Sequence, residues 1–359
     1  MSPAADFLPQ GFDPAAAADP DSGLFGLDVP PEQARVHVHP VGFDATTSYR
    51  AGASRGPRAV LRASHQVDLF DRYFGRPYTA GIALVPAAAR IEALQIEAFP
   101  RARRVIAAGG RIGDDKGLAA DLAAVNGLGG ALNRIVRESV EASLASGALP
   151  VVLGGDHAVP FGAMEALALR HPGLGILHFD AHADLRPAYE GFEWSHASIL
   201  RNAMERLDGV TRLVQVGLRD LAEEEFEYQR ASDGRISALF DDQWAEAALD
   251  GTRRALIKRT IALLPREVYV SFDVDGLDPV LCPNTGTPVP GGLSWHDAMA
   301  FLVELAKSGR RIVGLDLVEV SPGEPAETED GLGEHDSWDA NVGARLLYRL
   351  IGCALATRA

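Results

Sequence analysis

Cysteine is nearly missing from this chain: Cys282 and Cys353 are the only two among 359 residues. That excludes a disulfide framework and points to a reducing cytoplasm. Cys282 reads as a passive loop thiol. Long apolar runs are missing too, since none approaches the ~18 residues of a membrane span. The opening Met1-Ser2-Pro3-Ala4-Ala5-Asp6 has neither the basic cluster nor the apolar stretch of a secretory leader. Positive charge is in deficit, with 34 Lys and Arg against 49 Asp and Glu, a formal charge of -15. Such a surface repels phosphate backbones, which argues against nucleic acid as a partner. It does not identify a cationic substrate, because acidity also aids solubility. There is no internal repeat.

Three short segments stand out instead: Gly154-Gly155-Asp156-His157, Asp180-Ala181-His182-Ala183-Asp184 and Ser271-Phe272-Asp273-Val274-Asp275-Gly276-Leu277-Asp278-Pro279. Each follows an apolar run, respectively Pro150-Val151-Val152-Leu153, Leu174-Gly175-Ile176-Leu177-His178-Phe179 and Val268-Tyr269-Val270. Runs of this kind read as strands of a parallel sheet covered on both faces, and ligands bind just beyond the carboxyl ends of such strands. The three segments are therefore expected at one sheet edge. The spacing of two within Asp180, His182 and Asp184, and between Asp273 and Asp275, turns each set to one side of an extended backbone. With His157 this gives six candidate metal ligands, two imidazoles and four carboxylates. A set without thiolate suits manganese, with nickel or zinc as alternatives. Four crowded carboxylates repel one another without cations, and one divalent ion rarely takes so many protein ligands, so two metals are expected.

Each segment alone also has a structural explanation. Asp and His cap helices and close turns after strands, and paired glycines are ordinary turn material. The Asp-rich third segment resembles a calcium loop in part, but it lacks the later Glu of an EF-hand. The metal reading rests on their joint occurrence after buried strands.

These segments, together with Thr285-Gly286-Thr287-Pro288-Val289-Pro290-Gly291-Gly292 and Gly314-Leu315-Asp316-Leu317-Val318-Glu319-Val320-Ser321-Pro322, resemble those of the ureohydrolases, the family of arginase and agmatinase. The resemblance runs from about Val36 to the C-terminus. It implies a single-domain three-layer α-β-α fold with a mainly parallel eight-stranded sheet. It also implies two manganese ions held by His157, Asp180, His182, Asp184, Asp273 and Asp275, with Asp180 and Asp273 bridging. His196, in Trp194-Ser195-His196-Ala197-Ser198, falls where the family places a proton-shuttling histidine; without the resemblance it would read as a surface or capping residue. Glu319 corresponds to the guanidinium-binding carboxylate. It follows the apolar run Ile312-Val313-Gly314-Leu315, and a buried carboxylate there needs a partner that a planar, forked guanidinium supplies.

The implied reaction is hydrolysis of a guanidino compound to urea and an amine. Two metals make water nucleophilic near neutral pH, Asp184 carries its proton to the leaving amine, His196 exchanges protons with solvent, and Glu319 orients the guanidinium carbon. Ureohydrolases commonly assemble as trimers or hexamers, so a homotrimer or homohexamer is expected. Two rival readings remain. Histone-deacetylase-like amidohydrolases bind a single zinc, and the pairing of Asp180 and Asp184 with His157 and His182 speaks against them. An inactive ureohydrolase-like scaffold or regulatory subunit would have no chemical reason to keep all six ligands.

Residues 1–33, rich in Ala, Pro and Asp, read as an arm. Its first twenty residues are expected to be disordered, and the more apolar part around Gly23-Leu24-Phe25-Gly26-Leu27 to dock on the body or a neighbouring subunit. Residues 34–359 form the catalytic domain. Strands are expected near 35–41, 80–85, 149–153, 174–179, 211–217, 235–240, 267–273 and 311–318. Helices are expected over 57–70, 118–147, 158–171, 249–264, 294–308 and 340–356, the first with Pro57 at its start.

Arginases recognise the amino-acid end of their substrate with polar residues ahead of the shuttle histidine and with a carboxylate shortly after a Gly-Leu-Arg-Asp segment. Here Gly217-Leu218-Arg219-Asp220 is followed by Leu221 and Ala222, which leaves an ammonium without its partner, and such a mismatch can be rejected by orders of magnitude. Arginine is therefore not the expected substrate. In the loop Leu185–Trp194, Phe192 and Trp194 are candidates for an apolar or cation–π wall, with packing inside the loop as the alternative. Arg186 resembles the Asp-Leu-Arg of formiminoglutamate hydrolases and is a candidate contact for a substrate carboxylate. Agmatine stands slightly ahead of guanidinobutyrate and free guanidine. Hydroxyls of Asp44-Ala45-Thr46-Thr47-Ser48-Tyr49 are candidates for the mouth of the site, or for turns and caps.

Overall fold

The apolar runs rich in Val, Leu and Ile become eight strands: β1 (Val36–Val41), β2 (Ile82–Leu84), β3 (Leu149–Gly154), β4 (Leu174–Phe179), β5 (Val210–Leu218), β6 (Ile236–Phe240), β7 (Glu267–Asp273) and β8 (Arg311–Val318). They form one sheet in the order β2-β1-β3-β8-β7-β4-β5-β6, with every neighbouring pair parallel. This computed structural model describes Leu8, residues 11–323 and residues 337–358. The central strands β3, β4 and β7 are buried almost without interruption, as a sheet covered on both faces requires.

Ten helices among the described residues supply that cover: α1 (Gly56–Ser64), α2 (Ala89–Ala107), α3 (Lys116–Ser146), α4 (Phe161–Arg170), α5 (Ile199–Arg206), α6 (Glu223–Arg230), α7 (Asp241–Leu249), α8 (Arg253–Ala262), α9 (Trp295–Ala306) and α10 (Trp338–Ala356). Helices α1, α10, α9, α8 and α7 lie side by side on one face, and α2, α3, α4 and α5 on the other, giving three layers. The long α3 starts where Asp115 accepts from the amides of Gly117 and Leu118, and stops at Gly147 in the left-handed region (φ 82°), the usual cap at each end. All eight expected strands are present. The expected helix over 57–70 stops at Ser64, and that over 249–264 is α8, which starts only at Arg253, after Asp250-Gly251-Thr252. Helices α2, α5, α6 and α7 are not among those expected.

Residues 1–7, 9 and 10, on which part of the expected N-terminal disorder falls, lie outside the described residues. Further along the arm, Leu24, Phe25, Leu27 and Val29 are buried in the core under α1 and α10. The Phe25 amide donates to Ser64 Oγ (2.8 Å) and its ring packs on Tyr348 (4.8 Å). This stretch thus packs on the body of its own chain.

The sheet centre carries one polar row. Gln215 on β5, His178 on β4, Ser271 on β7 and Asp316 on β8 are register partners of one another in that order. All four have no solvent exposure. A polar row inside an apolar sheet must be satisfied internally, and it lies directly below the candidate ligands.

Candidate metal centre

The strand order reverses direction around β3, β8, β7 and β4, so the loops beyond their carboxyl ends open into one crevice. His157 enters it after β3, Asp180, His182 and Asp184 after β4, Asp273 and Asp275 at the end of β7, and Glu319 just past β8. Two glycines permit the close approach. A Cβ at Gly155 would run into the Phe43 carbonyl, and one at Gly276 would stand 2.7 Å from the Asp180 amide nitrogen. Asp184 (φ 55°) and Glu319 (φ 62°) hold left-handed backbone, which is uncommon outside glycine and costs on the order of 1 kcal/mol.

His157 Nδ1 lies 3.0 Å from Asp180 Oδ2, 3.0 Å from Asp184 Oδ2 and 3.4 Å from Asp273 Oδ2. His182 Nδ1 lies 3.0 Å from Asp275 Oδ2 and 3.3 Å from Asp180 Oδ1. Donor atoms of His157, His178, Asp180 and Asp184 form one compact group, and those of Asp180, His182 and Asp275 a second, with Asp180 in both. The six spacing-selected residues are thus brought together. His178 joins them without having been singled out: its Nε2 is 2.9 Å from Asp180 Oδ2.

The electrostatics show what the arrangement calls for. Burial alone would lower the His157 and His182 imidazoles, yet the surrounding carboxylates outweigh it and hold both protonated well above the usual histidine range. Burial, then Asp275 and Asp180, push Asp273 well up; burial and Asp180 push Asp184 up to about 6. Protons therefore stand in for cations. Among the buried oxygens without a hydrogen-bond partner in the described residues are Asp184 Oδ2 and Glu319 Oε2, and, in the row below, Gln215 Oε1 and Asp316 Oδ2. Asp184 Oδ2 is near His157 Nδ1, but that nitrogen's bond goes to Asp180. A dense all-oxygen and imidazole donor set, short of positive charge and with orphaned oxygens, fits hard or borderline divalent ions.

Outer contacts fix the ligands. His157 Nε2 meets Ser271 Oγ (2.8 Å), which donates to Asp316 Oδ1 (3.1 Å). Asp275 accepts from the Ala181 amide (3.0 Å) and Thr287 Oγ1 (3.3 Å). Arg219 ties the loops together, its guanidinium donating to the carbonyls of Gly217, Asp275, Leu277 and Val289 at 2.6–3.3 Å. Glu319 Oε1 accepts from the His157 amide (2.9 Å) and leaves Oε2 buried without a partner. Burial, then Asp273 and Asp156, push the Glu319 carboxyl well up, as a site waiting for a cation would show.

A cavity of about 190 Å³ opens onto the centre, lined among others by Ser48, Asp184, Arg186, Tyr189, His196 and Glu225. His196 sits at its wall, its Nε2 3.5 Å from Ser48 Oγ and its ring edge-on to Tyr189. Burial, then His182 and His157, lower it to about 4. Arg186 lines the same wall, stacked over Tyr189 (4.9 Å) with Nε 3.7 Å from Glu225 Oε2. Of the Asp44–Tyr49 stretch, Ser48 reaches this wall, Thr46 Oγ1 donates to Asp156 (2.9 Å), and Tyr49 points to solvent.

Two expectations need correcting. Trp194 packs on Phe161 (4.8 Å) beneath Arg206 (4.7 Å) and is not among the residues lining the cavity; Phe192 is fully buried in the core, so neither forms a substrate wall. The loop after Arg219 is not without a carboxylate in the cavity. Glu225, three residues past Ala222, turns back and accepts from the amides of Leu185 (2.9 Å) and Ala222 (2.8 Å). Another cavity, about 780 Å³ between α1 and α2, includes none of the candidate ligands.

A sequence profile described as the arginase family matches residues 34–350. The chain belongs to the arginase family. Among relatives, this family member is 31% identical over 330 residues to the N(1)-aminopropylagmatine ureohydrolase of Thermus thermophilus, covering 92% of this chain and 94% of that one. It is 33% identical over 217 residues to the agmatinase of Bacillus subtilis, covering 60% and 68% respectively. In fold it resembles the crystal structure of a hypothetical agmatinase from Burkholderia thailandensis, with a TM-score of 0.67 at 23% identity over 99% of this chain and 98% of that one. With its carboxylate and imidazole centre, this arginase-family chain is a ureohydrolase-type hydrolase.

Proposed function

We propose that this protein hydrolyses a small linear guanidino compound to urea and an amine, in the manner of an agmatinase, with two manganese ions per chain. The observation that carries this reading is the buried, unpartnered Glu319 Oε2 beside the seven clustered imidazoles and carboxylates. His157, Asp180, Asp184 and Asp273 would hold one ion, and His182, Asp275, Asp180 and Asp273 the other; nickel is the alternative metal. Bound divalent ions supply Lewis acidity, which lets water act as a nucleophile near neutral pH.

The chain's own residues do the rest. Glu319 Oε2 accepts from the substrate guanidinium and sets its carbon over the ligands, a positional effect that can be large. Asp184, whose carboxyl is raised to about 6, is placed to take a proton and return it to the leaving amine. His196 at the cavity wall exchanges protons with solvent. Arg186, Tyr189 and Ser48 border the far end of the substrate. The cavity of about 190 Å³ suits a short substrate, and the relatives named for agmatine and aminopropylagmatine support placing agmatine first, ahead of guanidinobutyrate, guanidine and arginine. Glu225 already accepts two amides and faces Arg186, which leaves it poorly placed to receive the α-ammonium of arginine. We further place the protein in the cytoplasm as a homotrimer or homohexamer, which light scattering would test.

The test is urea release by the manganese-loaded full chain on agmatine, guanidinobutyrate, guanidine and arginine. Agmatine is expected to give the highest kcat/KM. A value for arginine equal to or above the other three would overturn the substrate order, and no urea from any guanidino compound would overturn the reaction.

A further inference from the structure

Asp180 is the carboxylate shared by both groups of candidate ligands. Its Oδ2 is approached by His157 Nδ1 (3.0 Å) and His178 Nε2 (2.9 Å), and its Oδ1 by the His182 amide (2.6 Å) and His182 Nδ1 (3.3 Å). An ion held through either Nδ1 would occupy its lone pair, so that nitrogen could carry no proton. Both ligand imidazoles then stop donating to Asp180. Two of these donors remain, the His182 amide on Oδ1 and His178 on Oδ2.

His178 donates from Nε2 only in one tautomer of its neutral ring, and Gln215 selects that tautomer. The Gln215 side-chain nitrogen lies 2.8 Å from the Ala183 carbonyl and 3.0 Å from His178 Nδ1. A flipped amide would set two carbonyl oxygens against each other at Ala183, so the NH2 group belongs on that side. Its second hydrogen then points at His178 Nδ1, which must accept, and the ring proton sits on Nε2. Strand register enforces the alignment, since His178 stands directly opposite Gln215 across β4 and β5. The same amide grips the ligand loop, because Ala183 lies between His182 and Asp184.

We propose that Gln215 and His178 form a positioning relay that holds Asp180 in place between the two metal sites once ions are bound. The inference rests on the two-ion reading above, and neither relay residue needs to touch an ion. Such outer partners typically change metal affinity by about 10–100-fold.

The experiment titrates the metal-free full chain with Mn2+ against a competing chelator, and records the electron paramagnetic resonance spectrum at two equivalents. His178→Phe and Gln215→Leu are each expected to weaken Mn2+ binding by about 10–100-fold and to replace the exchange-coupled two-ion signal with that of isolated Mn2+. His178→Gln, which places an amide N–H near the position of Nε2, is expected to recover part of the affinity. A merely structural role would lower the metal-free melting temperature as much as the metal-loaded one and would show no such recovery. Variants that bind two coupled Mn2+ with unchanged affinity would overturn the relay. Because binding is read without substrate, a failure to release urea counts against the proposed reaction alone; a wild-type chain that binds fewer than two ions overturns the relay together with the two-ion reading.

Discussion

Two pairs of histidines in this chain meet opposite fates. His37 and His39 on β1 are buried against α3. His39 reaches Ser139 Oγ (2.7 Å) and Ser143 Oγ (3.0 Å), and His37 reaches Ser143 Oγ (2.8 Å) and the Pro31 carbonyl (2.8 Å). These partners include no carboxylate, and burial, then His37, lower His39 to about 4. His157 is as deeply buried, yet the acids around it and around His182 hold both imidazoles protonated. Burial by itself fixes neither outcome. The neighbours decide whether an enclosed imidazole is a neutral strut, as His39 is, or a place that demands a cation.

The sharpest way to break this contrast is to remove an acid from the second pair. Asp275→Asn is expected to lower turnover by more than about a hundredfold, beyond the usual reach of an outer-sphere change, with fewer than two ions per chain by elemental analysis. Retention of both ions and full turnover would sink the assignment. Next in size, Arg219→Ala removes a charged donor from four carbonyls and should lower stability to urea by about 2–4 kcal/mol; an unchanged midpoint would show that the loops hold one another without it.

Metal loading should also separate the two pairs. Mn2+ added to the metal-free chain at pH 7 is expected to release about two protons, measured as the dependence of binding heat on buffer ionisation enthalpy. No release would mean that His157 and His182 are not protonated beforehand. The smallest effect belongs to the first pair. The His39 pKa is lowered from 6.5 to about 4 on folding, so between those values the unfolded chain binds the extra proton. Stability therefore rises with pH across that window and is lost as pH falls through it, by up to about 1.4 kcal/mol per pH unit. His39→Gln should flatten that slope in urea midpoints measured from pH 4 to 6.5; an unchanged slope would assign it to other groups.

What the sequence made legible follows the same division between local pattern and long-range contact. The strands announce themselves as apolar runs, and acids and histidines two apart at their ends mark one sheet edge. Helix α2 escaped notice because Pro100 sits inside it, where a proline normally ends a helix. Helices α5 and α6 are eight residues each, too short to show a period. In the site, His178 and Gln215 read as interior strand residues, and only the register between β4 and β5 makes them partners. Glu225 escaped because its carboxylate reaches the cavity by closing the first turn of α6 onto Ala222, not by standing at the expected spacing from Arg219. Trp194 looked like a wall because an aromatic beside a metal loop suggests one; Phe161 on α4, distant in sequence, claims its face.

The left-handed backbone at Asp184 and Glu319 has an evolutionary meaning. At such angles glycine is freer of strain than any acid, and asparagine is tolerated as well. A laboratory population selected only for heat resistance should therefore drift toward Gly or Asn at these two positions, while one selected for turnover should keep both acids, a trade between stability and activity of the usual kind. The two positions would then record, in the genotype of any descendant, which of the two pressures it had lived under.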